Sequence, residues 1–162
     1  MEDGDSDRPK VVPFRRVKEH QVLAEVGGPV DEVNVTLALY SEALDPEEIT
    51  RTLGVAPTSA HRRGERTPKP WSEPARTGAW FLKERGRDAE PAEAVIDRVL
   101  RQLPEDPAVW RELGCKHDIQ LRFGIHMTGW NKGLGISSEQ VMRIAQLGAH
   151  MEFDIYAYGE DE

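Results

Sequence analysis

One cysteine in 162 residues, Cys115, rules out a disulfide within the chain; stability has to come from packing and hydrogen bonding. No apolar run approaches the length that crosses a bilayer. The N-terminus lacks the basic and apolar regions of a secretory signal. The expectation is a cytoplasmic protein with no membrane association. Positive charge is also in deficit, with 21 lysines and arginines against 29 acids and a formal net charge of −8. Such a surface repels phosphates at long range, so any nucleic-acid binding has to rely on a local basic patch. A nucleophile elbow, a Walker loop and a dinucleotide-binding glycine fingerprint are all missing. The glycines of "GWNKGLGIS" look like a loop between a strand and a helix.

What is present fits one domain with a real core: 38% hydrophobic and 31% charged residues. The acidic stretch Met1–Lys10 is expected to be disordered, and Gly159–Glu162 reads as an acidic tail. Between them, residues 11–158 form a single unit.

Two helices share one frame. Asp45 caps the first, Pro46 occupies its first position and Gly54 ends it; Asp106, Pro107 and Gly114 repeat the device. Aspartate accepts from orphan amides at the positive helix end, where proline's missing N–H costs nothing. Periodicity gives two more. Val95, Ile96, Val99, Leu100 and Leu103 stripe one, ended before Pro104. In the other, Ser137 and Gln140 make a capping box, with Val141, Ile144, Ala145 and Leu147 as the buried face.

Strands show strict alternation. Val33, Val35, Leu37 and Leu39 share a face, as do Ile119, Leu121, Phe123, Ile125 and Met127. Met151, Phe153 and Ile155 form a third buried row, a shorter strand contains Trp80 and Leu82, and Val22–Val26 suggests a leading strand. The order β-α-β-α-α-β-α-β, with one-sided strands, predicts an α+β fold. It is a two-layer sandwich with a mainly antiparallel sheet and helices on one face, related to the split β-α-β arrangement.

The five histidines lack metal-ligand spacing, so neither a metal nor a cofactor is expected. Cys115 reads as a small buried residue. The polar sheet face is richer: Arg122 and His126 on one strand, Glu152, Asp154 and Tyr156 on the last. If those strands are neighbours, Arg122 pairs with Glu152 or Asp154. A solvated sheet face is the better reading, with an acid/base site or a polar docking surface as the functional one.

"PTSAHRRGERTPKPW" stands apart from the acidic whole. It gathers Arg62, Arg63, Arg66 and Lys69 around Glu65 and ends at Trp71. A solvated basic loop ranks first, a protein contact site second. A phosphate-backbone site with base stacking on Trp71 ranks third.

The stretches "LDPEEITRTLGVAPT", "RRGE", "GAWFL" and "GLGISSEQVMRIAQLGAHMEFDIY" together resemble a bacterial family catalogued as domain of unknown function 4279. The matching positions run from Asp45, Pro46 and Ile49 through Gly64, Glu65 and Trp80 to Ala145, Gly148 and Tyr156, and the likeness covers Val33 to Tyr158. The resemblance implies a small bacterial domain that often stands alone, and it carries no activity to transfer. A tie to immunity or toxin-neutralising proteins would go beyond it. It makes Gly64-Glu65 part of a pattern, for which the physical reading is a turn with glycine at positive φ and Glu65 tied back to a backbone amide or an arginine.

The expectation is a non-catalytic module that binds a protein through Arg62, Arg63, Glu65, Arg66, Trp71 and Trp130. A nucleic-acid-associated protein using the same loop is the alternative. An enzyme with its site near Arg122, His126 and Asp154 ranks last. Homodimerisation stays open.

Overall fold

The computed structural model describes residues 28–66, 73–87, 90–129 and 131–158. In chain order the elements are β1 (Gly28–Pro29), β2 (Glu32–Ser41), α1 (Pro46–Leu53), β3 (Ser59–His61), β4 (Gly78–Arg85), α2 (Ala92–Leu100), α3 (Pro107–Lys116), β5 (Asp118–Thr128), β6 (Lys132–Gly133), α4 (Ser138–Gln146) and β7 (His150–Tyr158). This is the α+β arrangement that the sequence predicts, with three short strands added that it does not announce. The expected strand at Val22–Val26 and both acidic ends lie outside the described residues.

Five strands form one sheet in the order β3-β4-β2-β5-β7. β2 is its centre, antiparallel to β4 and β5 along almost its whole length; only β7 runs parallel to its neighbour, β5. Register explains the core. Leu37 lies between Leu82 and Leu121, and Leu39 between Trp80 and Ile119, so the alternating apolar residues form continuous rows across the sheet. Helices cover those rows with Ile49 and Leu53 of α1, Val95, Ile96 and Val99 of α2, and Ile144 of α4. The Trp80 indole N–H donates to Thr50 Oγ1 (3.1 Å) and that of Trp110 to Pro104 O (2.8 Å), so the two largest core side chains carry no unpaired polar atom into the interior.

The capping expectations hold. Asp45 accepts from the Glu47 N–H, and Gly54 adopts φ +70 at the end of α1. Asp106 accepts from the Ala108 N–H. Gly114, however, ends nothing: α3 runs on to Lys116, because strand conformation begins only at His117. Cys115 therefore sits in the last helical turn and is exposed, contrary to the buried reading.

A larger correction concerns the last strand. Met151, Phe153 and Ile155 are 39%, 43% and 60% exposed. They continue the rows of Leu121, Phe123 and Ile125 on the same face. But among the described residues β7 is an edge strand, paired only with β5, and no described helix covers these three side chains. The same shortfall leaves Val141 and Ala145 of α4 exposed while Ile144 and Leu147 are buried. Alternation gives a strand's face; it does not give its place in the sheet.

At the end of β5, the strip before β2 is clamped down. Asp31 donates its N–H to His126 O (3.0 Å) and its carboxylate bonds Lys132 and Thr128.

Candidate functional site

The basic stretch begins where β3 ends, at the sheet edge beside the N-terminus of α1. Gly64 has φ +83, in the left-handed region that favours glycine. The turn closes on itself: Glu65 donates its N–H to Arg62 O (3.2 Å), and its carboxylate accepts the Arg62 N–H (3.0 Å). The returning chain locks it further, with Gly64 N–H to Ala75 O at 2.8 Å and Ala75 N–H to Glu65 O at 2.9 Å. Glycine at positive φ and Glu65 tied to a backbone amide are what the Gly64-Glu65 pattern predicts.

Arg62 and Arg63 are not loose. Arg62 Nη2 donates to Asp45 Oδ1 (2.7 Å) and to the Glu47 carboxylate; Arg63 Nη1 donates to Glu42 (2.6 Å). The hydrogen bond that Arg62 donates to the Glu47 carboxylate, with the charges of Glu47 and Asp45 behind it, pushes the Arg62 pKa further up. One aspartate thus caps α1 and anchors the basic turn. Arg66 is exposed at the end of the described turn. Trp71 and Trp130 lie outside the described residues, so of the six sequence-predicted residues the structure brings together Arg62, Arg63, Glu65 and Arg66.

Beside this turn runs an open groove of about 460 Å³. Pro46, Pro57 and Ala60 form its apolar side, while Glu47, Arg51, Arg62 and Glu65 give it a charged rim. It lies between α1 and the short edge strand β3.

The polar sheet face does assemble. Arg122 Nε lies 2.9 Å from Glu152 Oε2, and its Nη2 lies 3.6 Å from Asp154. The Nε–H is not aimed at the oxygen, so this is an ion pair without a hydrogen bond. His126 stacks on Tyr156 with centroids 4.8 Å apart and planes 11° apart. Arg122, His126, Asp154 and Tyr156, with Asn34, Thr36 and Lys83, line a shallow depression of about 240 Å³. The predicted Arg122 pairing is present, and both carboxylates converge on one guanidinium.

Two arrangements escaped sequence reading. Ser41 Oγ and His117 Nδ1 are 2.9 Å apart, joining the end of β2 to the start of β5. Burial holds the His117 pKa below its ordinary value, against the opposing charge of Glu48. Only the β2–β5 register brings the pair together. The second is an open groove of about 1110 Å³ between the end of β4 and α2. Most of its charges are paired, Arg85 with Glu32 at 2.8 Å and Arg98 with Glu84 and Glu90, and Arg87 also lines it.

Among the described residues no helix is long and apolar enough to cross a membrane. The family described as domain of unknown function DUF4279 matches residues 31–158. The match covers most of the chain and includes the groove, the Gly64-Glu65 turn and the polar sheet face; the chain belongs to that family. No curated protein and no solved structure matches it.

Proposed function

We propose that this member of the DUF4279 family is a non-catalytic, cytoplasmic protein-binding module. It docks its partner over the groove between α1, β3 and the Arg62–Arg66 turn. The observation that carries this reading is the preorganised turn, whose backbone is fixed by Gly64, Glu65 and Ala75 before anything binds. Little ordering entropy is then lost on contact. An apolar strip with a charged rim has the anatomy of a protein interface, and Trp71 follows in the sequence as a candidate anchor.

The same geometry weakens the nucleic-acid alternative. Asp45, Glu47 and Glu42 offset the charge of Arg62 and Arg63, so the field left for a phosphate is smaller than the sequence suggests. The enzyme alternative has Arg122 at its centre, and that guanidinium is engaged by Glu152 and Asp154.

The test is affinity capture with the full chain, wild type against Arg63→Glu/Arg66→Glu, with and without nuclease. Arg62 stays in place because it ties the turn to α1. A stoichiometric protein retained by wild type after nuclease, and lost by the variant at unchanged melting temperature, supports the reading. Capture that disappears with nuclease, or tight oligonucleotide binding that falls steeply with salt, transfers the turn to nucleic acid.

A further inference from the structure

The two edges of the sheet are built differently. β3 is three residues long, and a short strand offers little to an incoming chain. β7 is nine residues long, contains neither proline nor lysine, and among the described residues pairs only with β5. Its two acids, Glu152 and Asp154, guard this edge only in part, because Arg122 on β5 pairs with both and offsets one of their two charges. On the helix side stand Met151, Phe153 and Ile155; on the other, Tyr156 and Tyr158 are 46% and 63% exposed.

Helix α4 extends the apolar side. Gln140, Ile144 and Leu147 point into the core, and Arg143 reaches toward α2 and α3 to bond Leu103 O and Pro104 O. The opposite flank, with Val141 and Ala145, therefore lies on the β7 side. The result is an apolar ridge along a long edge whose two acids are only partly offset.

We propose that β7 pairs antiparallel with β7 of a second copy, across a two-fold axis that passes through Ile155 perpendicular to the sheet. Such an axis reverses strand direction and keeps each residue on its own face, so only registers that oppose like faces are available. Charge then selects among them. An axis at Phe153 would set Glu152 against Asp154 twice, and one at Asp154 would set that residue against itself; like charges directly opposite are destabilising. An axis at Ile155 places Asp154 opposite Tyr156 of the second copy and Glu152 opposite its Tyr158. Each phenol O–H can then donate to a carboxylate; the Tyr156 ring already stacks on His126 at 4.8 Å, with the Tyr158 ring nearly parallel to the imidazole at 6.5 Å. On the apolar side Ile155 meets its own copy and Phe153 faces Ala157, large against small. Moving the axis on to Tyr156 shortens the overlap and loses these pairs.

The area is sufficient. At about 200 Å² for a large side chain, the exposed parts of Met151, Phe153, Ile155, Tyr156 and Tyr158 supply, if wholly covered, roughly 500 Å² per copy, the floor for a specific interface. Each copy is acidic, so association should strengthen with added salt, the reverse of phosphate binding. The proposal is independent of the α1–β3 groove, which lies at the opposite edge of the sheet.

The experiment is sedimentation velocity on the full chain, from micromolar to millimolar concentration, at low and high salt. Wild type is expected to move from one chain's mass toward two, more readily in salt, while Ile155→Lys stays monomeric with an unchanged circular dichroism spectrum. A second measurement fixes the register even if that variant folds poorly. In a Cys115→Ser background, Ile155→Cys should cross-link to a disulfide dimer under mild oxidation, and Phe153→Cys should not. A wild type that is monomeric throughout overturns the proposal, whether the ridge then belongs to residues 1–27 or to another protein. So does a dimer that Ile155→Lys leaves intact, or one that cross-links through position 153 instead.

Discussion

Replacing Gln140 by glutamate separates two accounts of the same residue. The sequence shows a capping box, in which Gln140 serves Ser137 at the start of α4. The structure contains that box, with the Ser137 N–H donating to Gln140 Oε1 at 3.0 Å, and adds a tether. Gln140 Nε2 donates to Glu93 O (2.9 Å) and to Asp97 Oδ1 (2.7 Å), both on α2. The side chain is only 4% exposed. If the cap were the whole role, glutamate would serve as well, since an acid near the positive helix end is favoured. With the tether, glutamate turns a donor into a second buried acceptor facing a carboxylate. Both donations are lost; the one to the Asp97 carboxylate alone costs roughly 1.5–3 kcal/mol, and the like-charge contact adds to it. Gln140→Glu should therefore lose about 3 kcal/mol near neutral pH, a fall in melting temperature of roughly 10 °C for a domain of this size. Gln140→Ala, which leaves the Ser137 N–H and Glu93 carbonyl unpaired, should lose about 2–3 kcal/mol. The glutamate deficit depends on pH. Asp97 and burial raise its folded pKa, so the penalty is full above that value and fades as protonation restores a donor. Thermal melts of the three proteins by circular dichroism, near pH 7 and near pH 4, decide the matter. A Gln140→Glu protein as stable as wild type at neutral pH, or one that worsens on acidification, would refute the tether.

Three further predictions concern other joints. Asp45→Ala should cost about 1 kcal/mol, the loss of a helix cap, and Arg62→Ala less, because its ion pairs are half exposed. Chemical denaturation of both and of the double variant would expose an error if Arg62→Ala proved the more damaging. The Asp31 carboxyl is held at about 2, below its ordinary 3.8, by hydrogen bonds from Lys132 and Thr128. Its contribution is complete above 3.8 and is lost as pH falls towards 2, so Asp31→Asn should flatten the decline of melting temperature in that window. A β-carbon at Gly78 would sit 2.9 Å from Leu44 O and 3.0 Å from Leu44 Cβ; Gly78→Ala should cost about 1–3 kcal/mol in urea titration, and a neutral result would mean that the β2–α1 corner yields easily.

Local signals carried most of the fold into view. Asp45-Pro46 and Asp106-Pro107 start helices because capping is settled within one turn, and the rows of β2 and β5 alternate strictly because both strands are central. Position in the sheet is not local. Nothing in "MEFDIYAY" distinguishes a strand with two neighbours from one with a single neighbour, so the exposure of Phe153 and Ile155 could not be read there. The candidate site divides the same way. Gly64 and Glu65 were legible as a turn because both act within a few residues. The pairing of Arg62 with Asp45 and Glu47, and of Ser41 with His117, depends on segments brought together by the sheet.

The central place of β2 bears on how the chain becomes a domain. Among the described residues it is the first long strand in chain order, yet both of its partners, Gly78–Arg85 and Asp118–Thr128, are synthesised well after it. Until β5 has left the ribosome, the Val33–Leu39 row has at most one neighbour and no complete helical cover. Contacts this distant in sequence slow folding and prolong the exposure of unpaired strand edges. A nascent chain that pauses before Asp118 would hold its most apolar strand half satisfied, and this interval is where a chaperone or a neighbouring ribosome's product would find it.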